Sequence, residues 1–225
     1  MGERWATFDC YGTLVDWNGG IRAELSRLFG DELGEPLLGR YHAVEPLIQA
    51  GDRGLSYRAV LARTLERLAA ETGVVVPESE LDALGRSLPR WPVFADVRPA
   101  LEETRRRGWR LAILSNTDRD LLDASLAAIG VPVDDVVVAE ELGSYKPAHR
   151  HWEVFGERHH PGAGRHVHVA QSLFHDIAPA AELGIPSIWV NRLGEPDDPR
   201  PQATLPTLTG LADALEEIAG AALRR

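Results

Sequence analysis

A chain of 225 residues, 44% apolar and 26% charged, has room for one large domain or a core plus a smaller insertion, in the composition of a soluble globular protein. Its 34 acidic residues against 24 basic ones, a net charge of −10, exclude the basic face that a phosphate backbone needs, so nucleic acid is not an expected partner. No apolar run is long enough for a membrane span, no basic-then-apolar leader opens the chain, and Cys10 is the only cysteine, so a cytoplasmic protein without disulfides is expected.

Residues 4–9 read as a buried strand that stops at Asp9, with Gly12 placed for a tight turn. A carboxylate directly after a buried strand either points into a site or caps a loop or helix, and both readings stay open from this stretch alone. Ile21, Leu25, Leu28 and Phe29 then recur at helical spacing. A second helix is expected over residues 37–50, interrupted or kinked by Pro46, followed by a turn over 51–54 that includes Arg53. Ser56 is placed as the N-cap of an amphipathic helix with Tyr57, Val60, Leu61, Thr64, Leu65 and Leu68 on one face, ended by Gly73. Val74 to Val76 make only a weak strand candidate before Pro77, which starts a short helix carrying Leu81, Leu84 and Leu88. Residues 16–92 therefore read as all-helical.

From Val93 helices and strands alternate. Helices are expected over 96–107, 119–129, 147–158, from 173 through Leu183, and over 211–223; strands over 110–114, 136–138, 166–170 and 187–190. Residues 196–201 form a polar, proline-rich loop. This alternation implies an α/β fold with a Rossmann-like, doubly wound, mostly parallel sheet. The expected organisation is a catalytic core of residues 1–15 and 93–225 around a helical insertion of residues 16–92.

Four points stand at or just after predicted strand ends: Asp9, Ser115-Asn116, Lys146, and the stretch Gln171 to Asp176. Such ends converge on one crevice in a doubly wound sheet. Lys146 is the only lysine among the 24 basic residues, a compact point charge kept where arginine serves everywhere else. A carboxylate beside this ammonium stays ionised, as a nucleophile must. Ser115 and Asn116 can hold an anion at a helix N-terminus or simply cap that helix. His166 and His168 share a strand face, which is half of a metal site or ordinary packing, with packing favoured.

Asp9-x-Tyr11-Gly12-Thr13-Leu14, Ser115-Asn116, Lys146-Pro147 and Asp176, in this order, resemble the four motifs of the haloacid dehalogenase superfamily. Residues 16–92 are similar to its inserted cap. Most members are magnesium-dependent phosphatases with an aspartate two positions after the nucleophile and an acidic residue five positions before the last aspartate. Here the first position holds Tyr11, which cannot replace that aspartate as general acid at neutral pH, and the second holds neutral Gln171, which would weaken a Mg²⁺ site. Tyr11 instead resembles the type II 2-haloacid dehalogenases, which need no metal or other cofactor.

That resemblance implies that Asp9 displaces halide from a short 2-haloalkanoic acid to give an aspartyl ester. Water directed by Asp176 and Lys146 then hydrolyses it. Tyr11, Thr13, Ser115 and Asn116 would hold nucleophile and substrate. A cap arginine, at the spacing that Arg40 has from Asp9, would receive the halide, unless Arg40 is only a solvated surface residue. Trp152 stands where the family often has tyrosine, and Leu173 where it has asparagine; His175 either substitutes in orienting water or packs beside the strand end. Related enzymes often form homodimers, which leaves that assembly open here. The alternatives are a phosphatase with a weakened Mg²⁺ site and a catalytically poor binding protein of the same fold.

Overall fold

The computed structural model describes residues 2–52, 54–162 and 164–222. Arg53 of the expected turn and Leu223 of the terminal helix lie outside the described residues. Six strands, β1 (Arg4–Phe8), β2 (Trp109–Ser115), β3 (Asp135–Val138), β4 (His166–Ala170), β5 (Ser187–Val190) and β6 (Ala203–Leu205), form one parallel sheet in the order β3-β2-β1-β4-β5-β6. Strand order reverses between β1 and β4, paired with Phe8 opposite Val169, and the crevice beyond their carboxyl ends is where such sheets bind ligands.

Side chains alternate across the sheet. Ala6, Phe8, Leu111, Ile113, Val167 and Val169 pack on one face, in one core with α5 (Val97–Arg106), α6 (Arg119–Ile129) and α10 (Leu211–Ala222). Trp5, Ala112, Leu114 and Val137 pack on the other, against Trp152, Val154 and Phe155 of α8 (Arg150–His159). Helices on both faces explain why the strands read as nearly continuous apolar runs.

Between β1 and β2 lie α1 (Trp17–Phe29), α2 (Asp31–Gly51), α3 (Tyr57–Thr72) and α4 (Ala83–Ser87). The chain enters and leaves this insertion at Val15 and Val93, which pair as an antiparallel bridge. Ser56 caps α3 through the Ala59 N–H, and Gly73 ends it in a left-handed conformation. Across the junction, the carboxylate of Asp118 accepts the first N–H groups of α3, from Tyr57 at 2.6 Å and Arg58 at 3.0 Å, a charge-assisted cap that ties the insertion to the loop after β2. Trp91 lies on Gly20, where any Cβ would sit 2.3 Å from the indole ring.

Several elements differ from the expectations. The second helix of the insertion starts at Asp31, not residue 37, and contains both Pro36 and Pro46. Val74 to Val76 form no strand, and Val75 is 89% exposed. The helix expected from residue 147 begins at Arg150, after a turn in which the Ala148 N–H reaches the Tyr145 carbonyl. A wide π-type turn, Leu173–Ile177, precedes a shorter α9 (Ala178–Glu182). The short α7 (Ala139–Leu142) and edge strand β6 carry no periodicity long enough to read. No described helix is long and apolar enough to cross a membrane.

Candidate active site

Asp9 follows β1 and Gly12 turns the chain back at φ +91°, a conformation that favours glycine. The turn brings Thr13 under Asp9: its hydroxyl donates to Oδ2 at 2.8 Å and accepts the Gln171 N–H at 3.0 Å. Lys146 is 1% exposed and donates to Asp9 Oδ1 at 3.0 Å, Asp176 Oδ1 at 2.7 Å and the Leu114 carbonyl at 2.8 Å. All three ammonium protons are thereby directed. Asn116 fixes the lysine's backbone from both sides, accepting the Lys146 N–H at 2.6 Å and donating to its carbonyl at 3.0 Å. Arg192, after β5, clamps the same floor by donating twice to the Thr13 carbonyl while pairing with Asp96 at 2.8 Å.

Burial raises the pKa of Asp9, Lys146 opposes that, and Asp176 adds to it. Burial also resists the charge on Lys146, but Asp176 and Asp9 outweigh it and raise its pKa. For Asp176 burial acts upward, yet Lys146 and His168 prevail and hold it below the ordinary carboxylate range. The result is one firmly ionised carboxylate, Asp176, one ammonium, and a more basic carboxylate at Asp9. Basicity and contact with a cation are what an oxygen nucleophile needs.

Behind this floor runs a buried hydrogen-bonded chain. The Thr7 hydroxyl bridges His166 Nε2 at 2.8 Å and His168 Nδ1 at 2.9 Å, and His168 Nε2 lies 3.0 Å from Asp176 Oδ1. With Lys146 and His168 both on Oδ1, Asp176 Oδ2 is buried without a protein partner, as is Ser115 Oγ. Both residues line a cavity of about 400 Å³ that covers Asp9. The histidines expected to be packing are packed, and they also orient the carboxylate; strand alternation alone reveals their shared face but not this role.

The cavity gathers Asp9, Tyr11, Ser115, Asn116, Lys146 and Asp176, and His175 joins them. Thr13 reaches it through Asp9. Tyr11 forms a wall: its hydroxyl is 3.1 Å from Ser125 Oγ, and burial raises its pKa, so it is no acid here. His175 is tied to Ser172, whose hydroxyl lies 3.2 Å from its Nδ1, and burial lowers it to about 4, which leaves it neutral.

Two expected residues stand elsewhere. Trp152 lies behind the sheet, its ring centroid 5.2 Å from that of His168, because α8 covers that face. Arg40 is 46% exposed and gives Glu71 a two-pronged bond at 2.7 and 2.8 Å on the outside of the insertion. The arginine of the insertion that reaches the cavity is Arg22 of α1, joined by Asn18, His42, Glu45 and Gln49. Sequence reasoning missed these because it fixed no rotation of α1 and α2 about their axes.

The donor set does not suit a resident Mg²⁺, which wants several charged oxygens. Asp9 and Asp176 already share one ammonium, the Tyr11 hydroxyl faces Ser125, and the Gln171 amide faces Glu195 at 3.3 Å.

An open parallel sheet carries a strand-end aspartate, a buried lysine and a second aspartate together at one crevice. Residues 4–184 match the haloacid dehalogenase-like hydrolase family, and the chain belongs to it. It is 26% identical over 235 residues to (S)-2-haloacid dehalogenase of Pseudomonas sp. strain YL, covering 96% of this chain and 95% of that one. Among solved structures, the L-2-haloacid dehalogenase RSc1362 superposes with a TM-score of 0.84 at 21% identity, covering 96% of this chain and all 100% of that one. The L-2-haloacid dehalogenase of Xanthobacter autotrophicus with chloropropionic acid covalently bound superposes with a TM-score of 0.83 at 19% identity, covering 95% and 98%. These likenesses extend over the helical insertion as well as the sheet.

Proposed function

We propose that the chain hydrolyses carbon–halogen bonds of 2-haloalkanoic acids, without a metal, through an ester on Asp9. What carries the reading is Asp9 itself: a buried carboxylate held by Lys146 at 3.0 Å and Thr13 at 2.8 Å, with Tyr11 where an acid would serve phosphoryl transfer. The curated relative's activity on (S)-2-haloacids supports this substrate class and that enantiomer.

In the first step an Asp9 oxygen attacks the carbon bearing the halogen. The C–O bond forms as the carbon–halogen bond breaks, and halide leaves with the electron pair. Lys146 and Thr13 hold the carboxylate oriented, and Ser115 Oγ, with no protein partner, is free for the substrate carboxylate. In the second step water attacks the ester carbonyl of Asp9. Asp176, whose Oδ2 has no protein partner, takes that water's proton, which passes to the departing alkoxide. The products are a 2-hydroxy acid and a regenerated carboxylate. We assign halide reception to the insertion side of the cavity, at Arg22, because Arg22 lines the cavity and Arg40 does not; Arg22 would exchange its exposed pair with Glu35 for the halide.

A net charge of −10 suits a small-molecule substrate better than nucleic acid, and the single buried Cys10 fits a cytoplasmic enzyme; a homodimer would be compatible with the exposed Leu47 and Val75. The test is chloride release from chloroacetate and from each enantiomer of 2-chloropropionate with EDTA present. Release with a preference for the (S) enantiomer is expected. No release, together with Mg²⁺-dependent turnover of an aryl phosphate, would replace this reading with a phosphatase.

A further inference from the structure

The inward face of α2 carries Gly34, Leu37, Leu38, Tyr41 and Val44, as a helix packed on a core should. Two positions break that face: Glu45 and Gln49, one turn apart and each 5% exposed. Burying a carboxyl is costly unless it is paired. No cation pairs with Glu45 among the described residues; its hydrogen bond is with the Gln49 amide. That contact leaves a carboxyl oxygen on Glu45, and an N–H and the carbonyl on Gln49, with capacity to spare. Both residues line the cavity over Asp9. Beside them His42 is stacked on Trp17 with ring centroids 5.2 Å apart and bonded to Asn18 at 2.9 Å, so its polar edge is fixed as well.

The cavity's size points the same way. At about 400 Å³ it falls within the roughly 300–1,000 Å³ of sites that hold drug-sized ligands, far more than a two- or three-carbon acid fills. A short haloacid bound at Asp9 would leave the Glu45–Gln49 end untouched.

On the dehalogenase reading above, we propose that Glu45 and Gln49 form a recognition subsite for a neutral hydrogen-bonding group, a carboxamide or a hydroxyl, carried at the end of the substrate's side chain, the substituent of the attacked carbon that is neither the carboxylate nor the halide. A carboxyl and a carboxamide side by side offer donor and acceptor together, the complement of another amide. Burial raises Glu45 to about 8, so it is protonated at neutral pH and able to donate. A neutral guest keeps it so, and the cavity's cations, Lys146, Arg22 and Arg192, make no pair with Glu45.

Three 2-chloro acids of matched length test this: one ending in a carboxamide, one in an isosteric isopropyl group, one in an ammonium. Each is titrated into the Asp9→Asn protein for its Kd, and kcat/KM is measured with the wild-type enzyme. The carboxamide acid should bind and turn over about tenfold or more better than the isopropyl isostere, since a polar site left unpaired rejects an apolar guest. In Glu45→Leu that ratio should collapse to near one, chiefly through KM, with partial recovery in Glu45→Gln. Equal affinity of the first two acids for the wild type, a preference for the ammonium acid, or a ratio unmoved by Glu45→Leu would overturn the proposal. Preferential binding to Asp9→Asn with no halide release by the wild type would keep the subsite and reject the dehalogenase reading, so the two fail separately.

Discussion

The floor and the roof of the cavity are built in opposite ways. The floor hangs on strand ends, and nearly every polar atom is committed: Lys146 to two carboxylates and a carbonyl, Thr13 to Asp9 and Gln171, Asn116 to the Lys146 backbone. Among the atoms left over are Asp176 Oδ2 and Ser115 Oγ, the two that the proposed chemistry uses. The roof hangs on helices α1 and α2, and Glu45 and Gln49 satisfy each other only in part. Fully committed polar networks fix geometry, whereas the spare capacity of the roof is what the proposed subsite uses. The floor therefore defines the reaction and the roof selects the substrate.

Removing the centre of the floor should have the largest effect. Lys146→Met leaves Asp9 and Asp176 facing each other without their cation; stability should fall by about 3–5 kcal/mol, as for a broken buried ion pair, and halide release should be lost. Urea unfolding and a halide assay check both; unchanged stability would mean that the pair is not ionised. One layer further back, His168→Leu should lower kcat by up to about 10²-fold with little change in KM, because Asp176 is no longer aimed. His168→Gln, which keeps a donor, should restore part of the rate. Equal losses in both variants would reduce His168 to packing.

At the roof the effects should be smaller and reveal substrate contact. Arg22→Ala should slow halide release, whereas Arg40→Ala should leave it near the wild-type rate and cost only the exposed pair with Glu71, with little effect on stability. The reverse order would return the halide role to Arg40.

A separate contrast is in stability against pH. Burial lowers His151 and His166 each to about 3, so the unfolded chain binds more protons below about pH 6.5 and stability falls as pH drops from there. Burial raises Glu45 to about 8, so the folded chain holds the extra proton and stability falls as pH rises toward 8, by at most about 1.4 kcal/mol per unit. Between pH 6.5 and 8, Glu45→Gln should flatten this decline. An identical slope in the variant would show Glu45 to be ionised already.

The same contrast explains what could be read in advance. Asp9, Ser115, Lys146 and Asp176 were legible because each lies at a strand end or in the connection after it, and a parallel sheet brings strand ends together whatever the sequence distance. The roof was not, because spacing along a helix does not say which way the helix is turned. Arg40 has a suitable distance from Asp9 in sequence, but on α2 it lies about a third of a turn from the middle of the buried face, and Glu71 holds it there. Trp152 was misplaced for a related reason: α8 covers the back of the sheet, where this indole packs on His168. Short elements such as β6 leave too few residues for any period to show.

The central claim, that Asp9 attacks carbon and is then freed by water, is tested most directly by one turnover in H₂¹⁸O with enzyme in excess over 2-chloropropionate. The ester mechanism predicts ¹⁸O in the Asp9 carboxylate, located by peptide mass spectrometry, and an unlabelled hydroxyl in the first lactate released. An ¹⁸O-labelled lactate from that first turnover, with Asp9 unlabelled, would mean that water attacks the substrate directly and that Asp9 is not the nucleophile.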